Sequence, residues 1–366
     1  MTIGINALAA FKQPRTGVEE YTYQLIKRLI KLDETRKHYF LLYAGGQNSL
    51  DFNLPDNFKI RQLKWPLPMW TQVRLARELS LRQPDALFIP VHVLPLIHPK
   101  NSVVTIHGLE YEYYPEMYPV RHLRYLRWST KYALKHARKI IAVSESTKKD
   151  LVELYGGNPE KIEVVYHGIN EGILPLGRDL SRPKGRTPHL IFIGRLETKK
   201  NIHGLIRAFN LLKEKYKIPH KLVLVGPRGY GYESFKFQVS SFKFKNDIIE
   251  AGYVSEQEKW ALFKNADVFV FPSFYEGFGL PILEAQTAGA PVVASNVSSM
   301  PEIAGEGAIL IDPKNIEDMA EGIYKVISDE KLKRDLIEKG YKNIKRFSWQ
   351  KCAEETLKIL LENDNK

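Results

Sequence analysis

Phe271-Pro272-Ser273-Phe274-Tyr275-Glu276-Gly277-Phe278-Gly279-Leu280-Pro281-Ile282-Leu283-Glu284-Ala285 joins a short apolar strand to a helix through a loop with two glycines. Pro281 falls in the first turn of that helix, where its fixed φ and missing N–H do no harm. The amides of Phe278, Gly279 and Leu280 are then expected at a helix N-terminus, a place suited to hydroxyls or anions. Glu276 in the loop and Glu284 one turn into the helix could face one cavity. Either acid alone is equally well explained as a solvated residue or a complement to the helix dipole. The whole arrangement points to a binding loop.

Outward from this stretch, short apolar strands alternate with longer amphipathic helices, which predicts mostly parallel α/β sheets. Strands are expected over 2–6, 38–43, 58–63, 86–90, 102–106, 139–143 and 162–165. A second set follows at 190–193, 221–225, 248–249, 268–271, 292–294 and 309–311. Helices are expected over 19–31, from about 120, over 147–154 with Ser144 as cap, and over 202–216, 255–265 and 316–328. A length of 366 residues exceeds one ordinary core and predicts two domains, 1–175 and 189–347. Between them, 176–188 is rich in Gly, Pro and charge and reads as a linker. Open α/β sheets bind ligands beyond the carboxyl ends of their strands, so two facing sheets would place the chemistry in the cleft between domains.

The hydrophobic fraction of 44% and charged fraction of 26% are those of a soluble globular protein. No apolar run approaches the roughly 20 residues that span a bilayer. Residues 1–6 lack a charged leader and read as a strand, so no signal peptide is expected. The single cysteine, Cys352, excludes an internal disulfide and fits a reducing cytosol. A net charge of +12 points to an anionic partner: nucleic acid, a lipid surface or a phosphorylated substrate.

Several residues could carry chemistry. Arg195 follows the strand at 190–193 and Lys200 precedes the next helix, so the two could clamp a diphosphate and strengthen as charge grows on a departing phosphate. Plain solvated lysine is the preferred reading of Lys199. Gly226-Pro227-Arg228-Gly229-Tyr230-Gly231 follows another strand; by itself it is a weak glycine-rich turn. Arg15-Thr16-Gly17-Val18 is either a tight turn or a place where backbone approaches a phosphate or acceptor closely. His107, in Thr105-Ile106-His107-Gly108-Leu109, ends a strand. No Asp-x-Asp motif, zinc-spaced His/Cys cluster, Ser/His/Asp set or paired-acid glycosidase nucleophile is evident.

Gly194-Arg195…Lys200-Asn201, Glu276-Gly277-Phe278-Gly279-Leu280…Glu284-Ala285 and Ala288-Gly289-Ala290-Pro291-Val292-Val293-Ala294 together resemble the family 4 retaining glycosyltransferases, mannosyltransferase-like members in particular. The resemblance extends over essentially the whole chain. It implies the GT-B fold, two Rossmann-like doubly wound domains facing a cleft, with a final helix of about 348–366 packing back on the first domain. It further implies that Glu276 and the amides of Phe278, Gly279 and Leu280 hold the donor sugar, and that Glu284 takes the ribose hydroxyls. Arg195 and Lys200 would bind the diphosphate, and the turn at Gly252-Tyr253-Val254 the base. Gly17, Gly226 and Arg228 would border the donor, with His107 near its sugar. Gly108 departs from the acidic residue that many such members carry after the histidine.

The implied reaction is retaining and needs no metal or other cofactor. A nucleotide-sugar donor, GDP-mannose first, would give its sugar to a glycan or lipid-linked acceptor in cell-envelope polysaccharide synthesis. A UDP-sugar donor, a sugar-nucleotide epimerase and a nucleic-acid-binding protein stand as alternatives. Against the last, 42 acidic residues dilute the basic ones and no reader module is present.

Positive charge concentrates from Arg121 to Lys139, with seven basic residues and no acidic one. On a helix, Arg121, Arg124, Arg127, Lys131, Lys135 and Arg138 form a stripe bordered by Tyr125, Trp128 and Tyr132. A solvated face is one reading. The other is docking on anionic lipid, with Trp65-Pro66-Leu67-Pro68-Met69-Trp70 as an apolar foot, at the inner face of the cytoplasmic membrane.

Overall fold

The computed structural model describes residues 1–13, 15, 17–46, 50–66, 68–169 and 187–362. The greater part of the expected linker, 176–186, and the chain end, 363–366, lie outside the described residues. Two units result: Met1–Gly168 with Ser348–Lys366, and Ile169–Phe347.

The first unit is built on seven strands: β1 (Thr2–Asn6), β2 (Tyr39–Ala44), β3 (Phe58–Gln62), β4 (Ala86–Ile89), β5 (Ser102–Ile106), β6 (Lys139–Ala142) and β7 (Ile162–Val164). Its helices are α1 (Gly17–Leu29), α2 (Ala76–Leu81), α3 (Glu110–Tyr113), α4 (Val120–His136), α5 (Glu145–Tyr155) and, from the far end of the chain, Trp349–Leu361. All its strand pairs are parallel, in the order β3-β2-β1-β4-β5-β6-β7. The terminal helix packs against α1, where Tyr21, Trp349 and Leu357 are buried. Ser144 caps α5 by accepting from the Thr147 amide at 3.0 Å.

The second unit carries β8 (His189–Ile193), β9 (Lys221–Val225), β10 (Ile248–Gly252), β11 (Val268–Phe271), β12 (Val292–Ser295) and β13 (Ala308–Ile311). Between and after them run α6 (Ile202–Lys215), α7 (Tyr232–Ser241), α8 (Glu256–Asn265), α9 (Leu280–Thr287), α10 (Met300–Ala304), α11 (Ile316–Ser328) and α12 (Glu330–Asn343); the terminal helix becomes α13. The order is β10-β9-β8-β11-β12-β13, again all parallel. Val268, Phe269, Val270 and Phe271 are all buried, as strands covered by helices on both faces require. Each such side chain contributes roughly 1.5–3 kcal/mol when withdrawn from water.

One topological fact positions the site. Strand order reverses between β8 and β11, so the connections leaving these two neighbours run to opposite sides and leave a crevice at their carboxyl ends. Residues 194–201 and 272–279 are those connections. Among the described residues, no helix is long and apolar enough to cross a membrane.

Candidate active site

In the second unit the loop after β8 and the loop after β11 are tied together. The Phe274 amide donates to the Lys199 carbonyl at 2.9 Å. That bond sets Lys200 beside Glu276, and the two side chains form an ion pair with each only 14% exposed. The Lys200 ammonium also lies 5.5 Å from the centre of the Phe271 ring. Two residues 76 positions apart in sequence thereby become one charged unit. Asn201 makes the turn possible: it adopts a left-handed conformation (φ 56°), and its side chain accepts from the Gly204 amide and donates to the Pro313 carbonyl.

The glycine loop itself is held from beyond β12. Ser298 Oγ accepts from the Glu276 amide at 3.0 Å, and Ser299 Oγ reaches the carbonyls of Glu276 (2.9 Å) and Phe278 (2.8 Å). Phe278 is buried edge-on against Phe347. Gly279, at φ 105°, turns the chain into α9, with Pro281 in the first turn as the sequence led us to expect.

Glu284, on α9, is bonded to the neighbouring helix α8. Its carboxylate accepts from Lys259 Nζ of α8 at 2.9 Å, and the same ammonium reaches Glu256 at 2.9 Å. Burial pulls the Lys259 pKa down, but the two carboxylates outweigh it and leave the group above its ordinary value. Lys259 and the serine pair were missed in the sequence, where a lysine on a helix and two serines after a strand carry no spacing signal. If Lys259 fixes a donor-holding Glu284, Lys259→Met should raise the donor KM about 5- to 10-fold through loss of one charge-assisted bond, with kcat less changed. Lys259→Arg should restore most of that loss; steady-state kinetics against donor concentration checks both.

The remaining candidates are spread along the strand ends. Arg195 is half exposed and 3.9 Å from Glu197. Lys200 is the more enclosed of the two, so the expected clamp is one part-buried and one solvated cation. Gly194 donates to the Val225 carbonyl (2.9 Å) and Gly226 to the Gly252 carbonyl (2.8 Å), aligning three glycines at the ends of β8, β9 and β10. The Arg228 guanidinium sits 4.5 Å over the Tyr232 ring. Tyr253 is 71% exposed, while Val254 packs on the core.

In the first unit, Gly17 is the first residue of α1 rather than part of a preceding loop, and a side chain there would meet nothing within 4 Å. Thr16 lies outside the described residues. His107, after β5, bonds through Nε2 to the Pro90 carbonyl at 2.7 Å and packs among Tyr21, His92 and His167. Burial, with the neighbouring His92, pushes its pKa down to about 3, so its ring is neutral at neutral pH. It can exchange hydrogen bonds there but has no proton to spare as an acid.

Two members of the expected basic stripe on α4 have partners of their own. Arg127 forms a bidentate pair with Glu112, at 2.8 Å for the shortest contact, while its side chain stays 43% exposed. Arg138 lies past the end of α4 and bonds Asn101 and the Ile359 carbonyl, tying α13 to the sheet. Arg121, Arg124, Lys131 and Lys135 remain exposed. Tyr125, Trp128, Tyr132 and His136 stack in a row along the helix. The expected foot also changes. Trp70 belongs to the core, with Nε1 donating to the Leu63 carbonyl at 2.9 Å, so the loop exposes Pro66, Pro68 and Met69; Leu67 lies outside the described residues. Leu96 and Ile97 are the exposed apolar residues beside α4, and Tyr132 donates to the Leu96 carbonyl at 3.2 Å.

A family model described as "Glycosyl transferases group 1" matches residues 178–343, and one described as "Glycosyltransferase Family 4" matches 15–172. The chain is a family 4 glycosyltransferase. Its GT-B fold is that of solved relatives in structure. The transferase superposes on sucrose-phosphate synthase from Thermosynechococcus elongatus with a TM-score of 0.77, at 17% identity over 98% of each chain. Against Anabaena HepE, solved in complex with UDP and glucose, the TM-score is 0.75 at 17% identity over 99% of each. In sequence, the transferase is 28% identical to O-antigen chain mannosyltransferase B of Escherichia coli over 96% of this chain and 98% of that one.

Proposed function

We propose that the transferase moves mannose from GDP-mannose to a glycan or lipid-linked acceptor in cell-envelope polysaccharide synthesis, retaining configuration and using no metal. The observation that carries this reading is the Lys200–Glu276 pair at the crevice of the second unit. A diphosphate offers Lys200 a stronger partner than one carboxylate. Donor binding then exchanges partners: phosphate takes Lys200, and Glu276 is released to accept hydrogen bonds from sugar hydroxyls. The bond from the anomeric carbon to the phosphate oxygen breaks while the acceptor oxygen bonds to that carbon on the same face. The acceptor proton passes to the departing phosphate, whose growing charge Lys200 and Arg195 stabilise. Glu284, held by Lys259, accepts from the ribose hydroxyls.

The mannose assignment is supported by similarity to O-antigen chain mannosyltransferase B. A UDP-sugar donor is the second reading, favoured by the UDP and glucose bound to HepE. Thermal-shift measurements with GDP-mannose, UDP-glucose and UDP-N-acetylglucosamine separate them. A ligand at 100-fold its Kd should add about 2.7 kcal/mol. Stabilisation by UDP-sugars alone would replace mannose as the donor sugar.

The acceptor side is met at the surface of α4. Arg121, Arg124, Lys131 and Lys135, with the aromatic row and the neighbouring Leu96 and Ile97, suit an anionic bilayer interface at the inner face of the cytoplasmic membrane. Each base near such a surface contributes about 1 kcal/mol. Reversing all four to Glu should abolish co-flotation with acidic liposomes at low salt; unchanged flotation would remove the membrane from this reading.

A further inference from the structure

The second unit holds a cavity of about 660 Å³ on the side of the 198–201 loop formed by α6, α7 and the start of α11. Nothing in the donor-site reading uses it. Two cations, Arg207 and Lys314, line it together with His203, and no acidic residue does. Among the described residues neither the Arg207 guanidinium nor the Lys314 ammonium is in an ion pair, although the Lys314 amide donates to the Asp312 carboxylate at 2.8 Å. Elsewhere in this unit several enclosed cations are paired: Lys200 with Glu276, Lys213 with Asp247, Lys259 with Glu284, Lys333 with Asp267. Thr198, whose hydroxyl also donates to the Tyr230 carbonyl at 3.2 Å, Ser234 and Phe274 complete the wall. A volume of this size falls within the range of small-molecule sites, and its chemistry selects the occupant. Two unpaired cations call for a doubly charged oxyanion, hydroxyls and an imidazole for a hydroxylated body, and an aromatic face for the C–H side of a sugar ring.

We infer that this cavity is a second binding site, for a phosphorylated sugar, separate from the donor crevice. Its walls give it leverage on that crevice. Thr198 and Phe274 line the cavity, while the Phe274 amide, bonded to the Lys199 carbonyl, sets the position of Lys200 against Glu276. An occupant that tightens or loosens this contact changes donor affinity, and the donor changes the occupant's affinity by the same factor. Binding in the cavity is independent of the proposed donor role of Lys200; only the coupling rests on it.

The test is calorimetric titration of the intact transferase with glucose 6-phosphate and, separately, with inorganic phosphate. Wild-type protein and the variants Arg207→Glu/Lys314→Glu, Ser234→Trp and Lys200→Ala are compared. None of Arg207, Lys314 and Ser234 belongs to the donor machinery, and all three side chains are exposed, so these variants should fold. The expected result is binding to wild type and to Lys200→Ala, and at least about tenfold weaker binding to the charge-reversed and filled variants, the scale of losing one charge-assisted bond. Tighter binding of the sugar phosphate than of free phosphate identifies the sugar as part of the ligand; equal binding would overturn that part. Binding lost in Lys200→Ala but kept in the charge-reversed variant would overturn the site, because the anion would then be in the donor crevice. A donor KM unmoved by saturating sugar phosphate would overturn the coupling.

Discussion

Glu276→Ala is expected to lower kcat/KM for sugar transfer by roughly 10²-fold or more, the scale of removing one preorganised group from a charge-developing site. Two effects combine. The sugar loses an acceptor for its hydroxyls, and Lys200 loses the partner that holds it in a site where it is only 14% exposed. For a fully buried pair, stranding one charge costs about 3–5 kcal/mol; partial exposure reduces that here to about 1–2 kcal/mol of stability. The loss in transfer should therefore exceed what the drop in folded protein explains. Glu276→Gln, which keeps hydrogen-bonding capacity without charge, should fall between the two. A double-mutant cycle with Lys200→Met should give strongly non-additive losses, because the pair acts as one unit before the donor enters. Near-normal transfer by Glu276→Ala would sink the assigned role.

Gly226→Ala is expected to be the most damaging single methyl group in the second unit. Gly226 has φ 134°, a conformation that L side chains rarely adopt, and a Cβ there would overlap the carbonyl oxygen of Gly194. Neither neighbour can yield cheaply. Gly194 is bonded to Val225, and Gly226 itself donates to the Gly252 carbonyl at 2.8 Å. Backbone strain and displaced strand ends together should cost about 3–5 kcal/mol, a magnitude confined to special backbone positions and buried defects. Urea unfolding of the variant checks the stability, and donor titration checks the site. Loss of donor affinity is expected beyond the stability loss, because the ends of β8, β9 and β10 form one edge. A variant as stable as wild type would show that Gly226 is a replaceable loop residue.

Sequence alone reached the two parallel-sheet units and the loop at Glu276. Apolar runs such as Val268–Phe271 and the helical periods of α6 and α11 are local signals, set by burial on both faces of a strand or one face of a helix. Short or weakly patterned elements, such as α7 and α10, and the strongly charged α12 left no such mark. The 330–343 helix is dominated by charge, and its place is fixed by Asp329 capping its first turn and by Asn343 donating to Gln286 of α9.

What the chain could not declare is which charges meet. Read along the sequence, Arg195 and Lys200 belong together, as do Glu276 and Glu284. In the fold, strand reversal at β8 and β11 crosses these pairs: Lys200 goes to Glu276, and Glu284 goes to Lys259 on α8. The same holds on α4, where helical spacing put Arg127 in the basic stripe and the fold pairs it with Glu112. Spacing in sequence fixes which face of an element a side chain occupies. Its partner is decided by which element the sheet order brings alongside, and an ion pair depends on separations of a few ångströms across segments tens of residues apart. The stretch around Glu276 was thus legible as a binding loop from its glycines and proline. That its acid is held by Lys200 is a property of the tertiary structure alone.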